Sequence, residues 1–248
     1  MARTMSIYRP KIRNYTQVIF FDGIDDFVDL GTSGPIAAAQ AAFSCACFFK
    51  REKLTGINAM VGDNNNSAQN HFNFQTQGAN RKLLISLITT SGLRPLVGAA
   101  NMPLYATCHA VFTYDGTTLT WYYNGRFDIS TTHSGTLVAS TAGMLIGTGS
   151  APIGGAYRFF GGYMADLKFW DRALSAAEVS SLYYEADNST SLRTGLQSEW
   201  SLAGNVLDPV GGNNGTVTGA TYSSTNVPFK DRVTTSGRVT EVNRILIN

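Results

Sequence analysis

Four aspartates lie within the stretch FFDGIDDFVDLG, residues 20–31, at positions 22, 25, 26 and 29. Carboxylates this close together can ligate a metal ion, act as a catalytic pair, or accept hydrogen bonds from backbone N–H groups in a turn. Asp22-Gly23 is a typical turn pair, and Asp25 and Asp26 can accept backbone hydrogen bonds beside it. We favour turn chemistry between two strands and keep calcium binding and catalysis as alternatives.

Other patterns that could support catalysis are weak. The only Glu-x-Asp pair, Glu185 and Asp187, lies in a polar loop, whereas glycosidases need two carboxylates that flank the scissile bond. His71, His109 and His133 are scattered along the sequence. There is no G-x-S-x-G elbow, P-loop, dinucleotide fingerprint or zinc spacing. We therefore predict a protein that is not an enzyme and has no required cofactor.

The composition favours one all-β domain. The chain has 248 residues, of which 44% are hydrophobic and 15% charged, and it is rich in Gly, Phe and Tyr. No apolar run approaches the roughly 20 residues that span a membrane as a helix. The basic start has no apolar segment of the secretory kind, so we expect no signal peptide. Three cysteines are too few for a disulfide scaffold, and we expect reduced, buried thiols.

Charge is spread unevenly along the chain. Residues 1–17 contain four basic residues and no acidic one, and residues 229–248 contain four basic and two acidic ones. Because the net charge is only +2, the body between them is acidic, unlike a nucleic-acid-binding domain. We predict two terminal arms that dock onto an acidic partner surface, with solvated tails as the alternative. The docking residues that we single out are Arg3, Arg9, Lys11, Arg13, Arg238 and Arg244.

Apolar residues recur with a period of two, which is typical of half-buried strands. HFNF places Phe72 and Phe74 on one face and Asn73 on the other, and several later segments alternate in the same way. Asn124-Gly125 in YYNGRF predicts a tight hairpin turn, because both positions favour positive φ. Strand follows strand with almost no intervening helix, so we predict an antiparallel two-sheet β-sandwich.

One helix is predicted within DRALSAAEVSSLYYEA. Ser175 and Glu178, three residues apart, match a capping box at its start. Val179 and Leu182 then form a narrow apolar stripe. We expect this short helix to pack against an edge of the sandwich.

Four phrases resemble, in their order and spacing, the laminin-G-like, concanavalin A-type jelly-roll family that includes pentraxins. They are FFDGIDDFVDLG, FTYDGTTLTWYYNG, LIGTG and FFGGYMADLKFWDRALSAAEVSSLY, and they cover roughly residues 18–187. The resemblance implies two packed antiparallel sheets that bind carbohydrate or protein, often with calcium and mostly without catalysis. In many relatives a phrase like residues 196–222 precedes the first strand pair, but here it follows. We expect these late strands to complete a jelly-roll body over residues 18–228; the alternative is a truncated second repeat.

The resemblance also implies where calcium would bind. Pentraxin-like members use an Asp-Asn pair after the second long strand, which falls here at Asp63-Asn64 or near Gln69-Asn70, and an acidic cluster that falls here in GTGSAPIGG. That second segment contains no acidic residue, and calcium takes about six to eight oxygen ligands. We therefore expect no double calcium site. A single site that uses Asp63 and Asn64 remains the alternative.

Two functions fit these features. The first is a non-catalytic virion-type surface or structural protein, docked by its arms onto a capsid protein or onto its own copies and able to contact host glycans. The second is a lectin-like, carbohydrate-binding module of a cell-surface or secreted protein. The sequence predicts neither nucleic-acid binding nor a membrane span. The candidate sugar-binding residues come from GDNNNSAQNHFNF and GGAYRFFGG and are Asn64, Gln69, Asn70, Tyr157, Arg158 and Phe159.

Overall fold

The computed structural model describes residues 15–32, 34–53, 56–64, 71–77, 81–140, 142–149, 158–184 and 190–224. Within these residues, two antiparallel sheets pack face to face as a concanavalin A-like sandwich with a short helix, as the sequence predicts. Most residues of both terminal arms, including all six predicted docking residues, lie outside the described residues. No helix that the structure describes is long and apolar enough to cross a membrane.

The first sheet has eight strands. In spatial order they are β10 (Arg126–Thr132), β9 (Thr118–Tyr123), β8 (Thr107–Tyr114), β3 (Phe43–Arg51), β12 (Gly161–Trp170), β1 (Val18–Asp22) and β15 (Thr221–Ser223), with β13 (Leu196–Trp200) also paired to β12. The second sheet has seven strands. They are β14 (Thr216–Thr218), β2 (Phe27–Asp29), β11 (Met144–Ile146), β4 (Ile57–Asp63), β5 (Phe72–Gln77), β6 (Lys82–Thr89) and β7 (Gly92–Val97).

The core lies between the two sheets and is built from alternate residues of each strand. Phe72 and Phe74 of β5 are fully buried there, opposite Trp121 of β9, whose ring centroid lies 5.1 Å from that of Phe74. The Trp121 Nε1–H donates to the carbonyl of Leu96 at 3.1 Å, so the indole also links the two sheets by a hydrogen bond. Burying each large apolar side chain contributes about 1.5–3 kcal/mol.

The late strands pair within both sheets. β13 pairs with β12 and β15 pairs with β1 in the eight-stranded sheet, whereas β14 pairs with β2 in the seven-stranded sheet. Trp200 and Leu202 enter the shared core. Residues 196–223 therefore supply strands to this sandwich.

The two local predictions about turns and caps are confirmed. Asn124 and Gly125 join β9 to β10 with φ of 49° and 75°, and Ser175 exchanges hydrogen bonds with Glu178 at the start of α1 (Ala176–Tyr184). α1 lies beside β10, the edge strand of the eight-stranded sheet, as expected, and it also covers part of the outer face. Val179 and Leu182 pack on the outer face of the eight-stranded sheet, because its outward residues, such as Trp170, are themselves apolar and need cover. A second short helix, α2 (Thr190–Arg193), follows.

All three cysteines are buried and free, which agrees with the expected reduced thiols.

Candidate functional site

The aspartates of residues 20–31 form turn hydrogen bonds. Asp26 Oδ2 accepts from the Asp22 N–H at 2.7 Å, and Asp22 Oδ1 accepts from the Ile24 N–H at 2.7 Å. Asp29 is exposed and accepts from the Gly31 N–H at 2.8 Å. Carboxylate oxygens of Asp22, Asp25 and Asp26 lie within 4.8 Å of one another, and burial together with these neighbouring charges raises the pKa of Asp26. The favoured turn interpretation is confirmed for Asp22 and Asp26.

Asp63, a predicted metal ligand, closes β4 and points into the sandwich. Its Oδ2 accepts three hydrogen bonds, from the His71 N–H at 2.9 Å, the His71 ring at 3.1 Å and the Ser140 hydroxyl at 3.0 Å. Burial raises the pKa of Asp63, while the hydrogen bonds from His71 and Ser140 oppose that shift. The carboxylate therefore holds the start of β5 against the loop before β11.

The described residues around Asp63 do not form a calcium-binding set. Its Oδ1 is buried and has no hydrogen-bond partner there, but Oδ2 is already taken by three donors. Across the described part of the chain, Asp22, Asp25 and Asp26 form the only cluster of three or more candidate acidic, histidine or cysteine ligands. The metal interpretation of Asp63 and Asn64 stays a prediction, and the geometry favours a structural role for Asp63.

A set of hydrogen-bonding side chains lies on the outer face of the seven-stranded sheet. Asn73 and Gln75 alternate along β5 with the core residues Phe72 and Phe74, so both amides point away from the core. Arg158 reaches over β4, and its Nη1 donates to Gln75 Oε1 at 3.2 Å. Asn73 and Gln75 are themselves buried, at 1% and 2% exposed, whereas Arg158 is partly exposed. We call Asn73, Gln75 and Arg158 the amide–guanidinium patch.

Backbone pairing fixes Arg158 beside this face. β11 ends at Ile146, and beyond it Phe159 bridges to Ala59 of β4 in parallel register. The Ala59 N–H donates to the Arg158 carbonyl at 2.8 Å. Ala59 is fully buried and its small side chain leaves room for neighbours on this face. The backbone of Arg158 is thus hydrogen-bonded directly to β4.

Two glycines let the chain approach Asn73 closely. A Cβ on Gly62 would lie 2.7 Å from Asn73 Oδ1, and a Cβ on Gly149 would also clash with that oxygen. Asn73 Oδ1 is buried and has no hydrogen-bond partner among the described residues. Within the described ranges the patch therefore contains an amide oxygen without a donor, next to backbone positions that only glycine fits.

The patch carries one positive charge, on Arg158. Burial lowers the pKa of Arg158, whose described hydrogen-bond partner, Gln75, carries no charge. The described strands of the seven-stranded sheet contain two acidic residues, Asp29 and Asp63. Asp29 lies beside Leu145 on the outer side, whereas Asp63 lies beside the core residue Met144. They are on opposite faces, so these two carboxylates cannot flank one glycosidic bond.

The structure brings together part of the predicted sugar-binding set. Arg158 and Phe159 lie at the patch, and Asn64 is exposed just after β4. Gln69, Asn70 and Tyr157 lie outside the described residues. The prediction omitted Asn73 and Gln75, although their alternation with Phe72 and Phe74 was a signal that could have placed them on the outer face.

The class defined by this fold is a β-sandwich of the lectin type, and comparisons with known proteins agree. Residues 22–180 match the family described as the concanavalin A-like lectin/glucanases superfamily. The chain belongs to this superfamily. A comparison with curated protein sequences found no match.

Solved structures with the same fold have low sequence identity to the chain. A candidate carbohydrate-binding protein from Bacteroides ovatus is 17% identical with a TM-score of 0.65, over 85% of this chain and 60% of that protein. The chain thus spans less than two thirds of that protein's length. A heptameric SAP-like pentraxin from Limulus polyphemus is 18% identical with a TM-score of 0.53, over 73% of this chain and 92% of the pentraxin.

A third similar structure is the CBM40 of the Ruminococcus gnavus IT-sialidase, bound to α2,3-sialyllactose. It is 14% identical with a TM-score of 0.55, over 68% of this chain and 100% of the CBM40. At these identities the likeness shows the fold.

Proposed function

We propose that this chain is a non-catalytic carbohydrate-binding module and that the amide–guanidinium patch is its glycan site. The observation that carries the proposal is the hydrogen bond between Arg158 and Gln75 at 3.2 Å, which joins two separate segments on one outer face. One is the loop segment that contains Arg158, and the other is β5, which follows the predicted loop after Asp63.

The chemistry of the patch suits sugar hydroxyls. The partly exposed Arg158 guanidinium can donate hydrogen bonds to sugar hydroxyls, and the buried Gln75 amide beneath it accepts from Arg158 and so holds it in place. Phe159 is partly exposed beside Arg158 and offers an apolar surface for the carbon face of a sugar ring. The Bacteroides ovatus protein is described as carbohydrate-binding and the CBM40 structure contains α2,3-sialyllactose, which supports the same class of ligand for this chain.

Two other functions are less well supported. The superfamily description includes glucanases, but Asp29 and Asp63 lie on opposite faces, and Glu185 and Asp187 lie outside the described residues. A virion-type surface protein docked by basic arms stays a prediction, because the docking residues lie outside the described residues too. Of the three functions, the lectin-like one is supported by side chains within the described residues, those of the amide–guanidinium patch.

The test is glycan binding by the full chain. A glycan array, with and without calcium, should identify a bound sugar class, and calorimetry should then measure its Kd. Removing a charged hydrogen-bond donor costs about 1.5–3 kcal/mol, so Arg158→Ala should weaken binding about 10- to 150-fold. Gln75→Ala should weaken binding less, because the buried Gln75 acts by holding Arg158 through one hydrogen bond, which contributes about 1 kcal/mol.

Arg126→Ala is the matched control, since Arg126 is exposed on β10 of the other sheet. It should bind glycan like the unmodified chain. The proposal fails if the array shows no bound glycan, or if Arg158→Ala keeps its fold and binds with unchanged Kd.

A further inference from the structure

A buried arginine lies between the sheets at one end of the sandwich. Arg51 is the last residue of β3, and its alternation with Phe49 and Cys47 points its side chain into the interior, where it is only 1% exposed. Its Nη1 donates to the carbonyl of Gln77, at the end of β5, at 3.3 Å. The guanidinium therefore connects the two sheets where β3 and β5 end.

Two further nitrogens of Arg51 have no hydrogen-bond partner among the residues that the structure describes. They are Nε and Nη2, and both are buried. The next acidic residue along the chain, Glu52, pairs with Lys50 at 2.6 Å. Burial and the nearby charge of Arg81 both lower the pKa of Arg51, yet a guanidinium stays protonated in proteins. A buried charge without a counter-charge is costly.

The geometry of Nε and Nη2 of Arg51 is specific. Nε–H and Nη2–H point in parallel along one edge of the planar guanidinium, and this pair matches the two oxygens of a carboxylate or an oxoanion. The single hydrogen bond to Gln77 uses the other side of the group, through Nη1. Arg51 is thus oriented with its two-donor edge still available.

A second polar group faces the same end of the interior from the opposite sheet. Thr76 directly precedes Gln77 on β5 and alternates with Phe74, so its side chain points inward, and it is fully buried. Its Oγ1 has no hydrogen-bond partner among the residues that the structure describes. Each sheet therefore directs into this end of the core a buried hydrogen-bonding group that has no partner in the described part of the chain.

The loop over this end is tied to both arginines. The Met102 N–H donates to the Arg81 carbonyl at 2.8 Å, and the Tyr105 N–H donates to the Arg51 carbonyl at 3.0 Å. Arg81 and Tyr105 both have positive φ, 51° and 60°, which costs energy for residues other than glycine. Tyr105 is 62% exposed, so the loop that covers the buried arginine also reaches the surface.

We propose that this end of the sandwich is an anion site that takes a carboxylate or a small oxoanion, bound by Nε and Nη2 of Arg51 and by the Thr76 hydroxyl. An anion there supplies the counter-charge that Arg51 lacks among the described side chains, and it relieves the repulsion between Arg51 and Arg81. The site is separate from the amide–guanidinium patch, which lies on the outer face of the sheet.

The test compares sodium acetate and sodium phosphate with sodium chloride at constant ionic strength. An anion that binds the folded state raises its stability with the logarithm of its concentration once the site fills. The melting temperature of the unmodified chain should therefore rise more with acetate or phosphate than that of Arg51→Met. Phosphate also stabilises proteins nonspecifically, and that part remains in every variant. A response to acetate alone assigns a carboxylate, and a response to phosphate alone assigns an oxoanion.

Two control variants distinguish an effect of the anion site from an effect of removing any arginine and from an effect of the glycan site. Arg94→Met removes an exposed arginine that donates a hydrogen bond to the Thr131 hydroxyl, and Arg158→Ala removes the arginine of the amide–guanidinium patch. Both should keep the full anion response. In an NMR titration of the unmodified chain with either anion, the Arg51 Nε–H resonance should shift and then saturate. This measurement does not require a folded variant. The inference is overturned if that resonance is unmoved by either anion, or if Arg51→Met responds like the unmodified chain.

Discussion

His109 should make the fold sensitive to mild acid. It lies on the outer face of the eight-stranded sheet, 2% exposed, with its ring stacked on Phe48 at a centroid distance of 4.2 Å. Its Nδ1 has no hydrogen-bond partner among the described residues. Burial, with a smaller effect from the Lys168 charge, lowers the pKa of His109 from 6.5 to about 3. The folded protein therefore holds a neutral imidazole.

The magnitude follows from proton linkage. The unfolded chain protonates this histidine near pH 6.5, whereas the folded chain does so only near pH 3, so stability falls as pH drops through that window. Because of this one histidine, the free energy of unfolding is about 2 kcal/mol lower at pH 5 than at neutral pH. His109→Phe keeps a stacked ring beside Phe48 and removes the titration. As the pH falls from 7 to 5, the free energy of unfolding of the variant should therefore rise by about 2 kcal/mol relative to that of the unmodified chain.

Urea unfolding at pH 7, 6 and 5 measures this gain. With a typical urea dependence for a protein of this size, about 2 kcal/mol moves the midpoint by about 1 M. His133→Gln is the comparison, because His133 is half-buried and bonds Thr89 at 2.9 Å; its pKa is also lowered, but by weaker burial. It should give a smaller pH-dependent gain. A constant stability difference between His109→Phe and the unmodified chain across this pH range would refute the reasoning.

Three further predictions concern local features of the fold. Glu178 accepts hydrogen bonds from Arg172 at 2.7 and 3.0 Å, and chiefly these lower its pKa from 4.5 to about 2. Glu178→Gln should lower the free energy of unfolding by about 1 kcal/mol at pH 7, after allowance for solvent screening, and this loss should shrink below pH 4.5. An equal loss in urea unfolding at about pH 7 and about pH 3 would contradict this. Gly147→Ala should lower the melting temperature by several degrees, since Gly147 has φ of 85° and a Cβ there would meet the Phe21 ring; an unchanged melting temperature would count against the packing described. The three buried thiols should react with an aromatic disulfide reagent only after unfolding, and rapid labelling of the folded protein would show that their burial is wrong.

Much of the sandwich is encoded locally. Period-two alternation in segments such as residues 72–77 decides which side chains can enter a core, because neighbouring side chains on a strand point to opposite faces. The turn at Asn124-Gly125 and the cap at Ser175 depend on residues within a few positions of one another. Such features need no knowledge of distant contacts.

The contact of α1 with the outer face could not be derived in the same way. Its apolar stripe shows that one side is buried, but an edge and an outer face both satisfy that stripe. In the structure α1 lies beside the edge strand β10 and also covers Trp170, Val111 and Ala46, which come from three different strands and form an apolar surface only after those strands pair.

The candidate sites divide along the same line. The sequence by itself determined that Phe72 and Phe74 share one face of a strand with Asn73 on the other, and it singled out Arg158 and Phe159 as site candidates. Only the tertiary structure decided that Arg158 lies over Gln75 and that Arg51 meets Gln77 between the sheets. Arg158 and Gln75 are 83 positions apart in the sequence, and Arg51 and Gln77 are 26 positions apart. The physical reason is that strand order and register bring such pairs together, and both are fixed by the packing of the whole core.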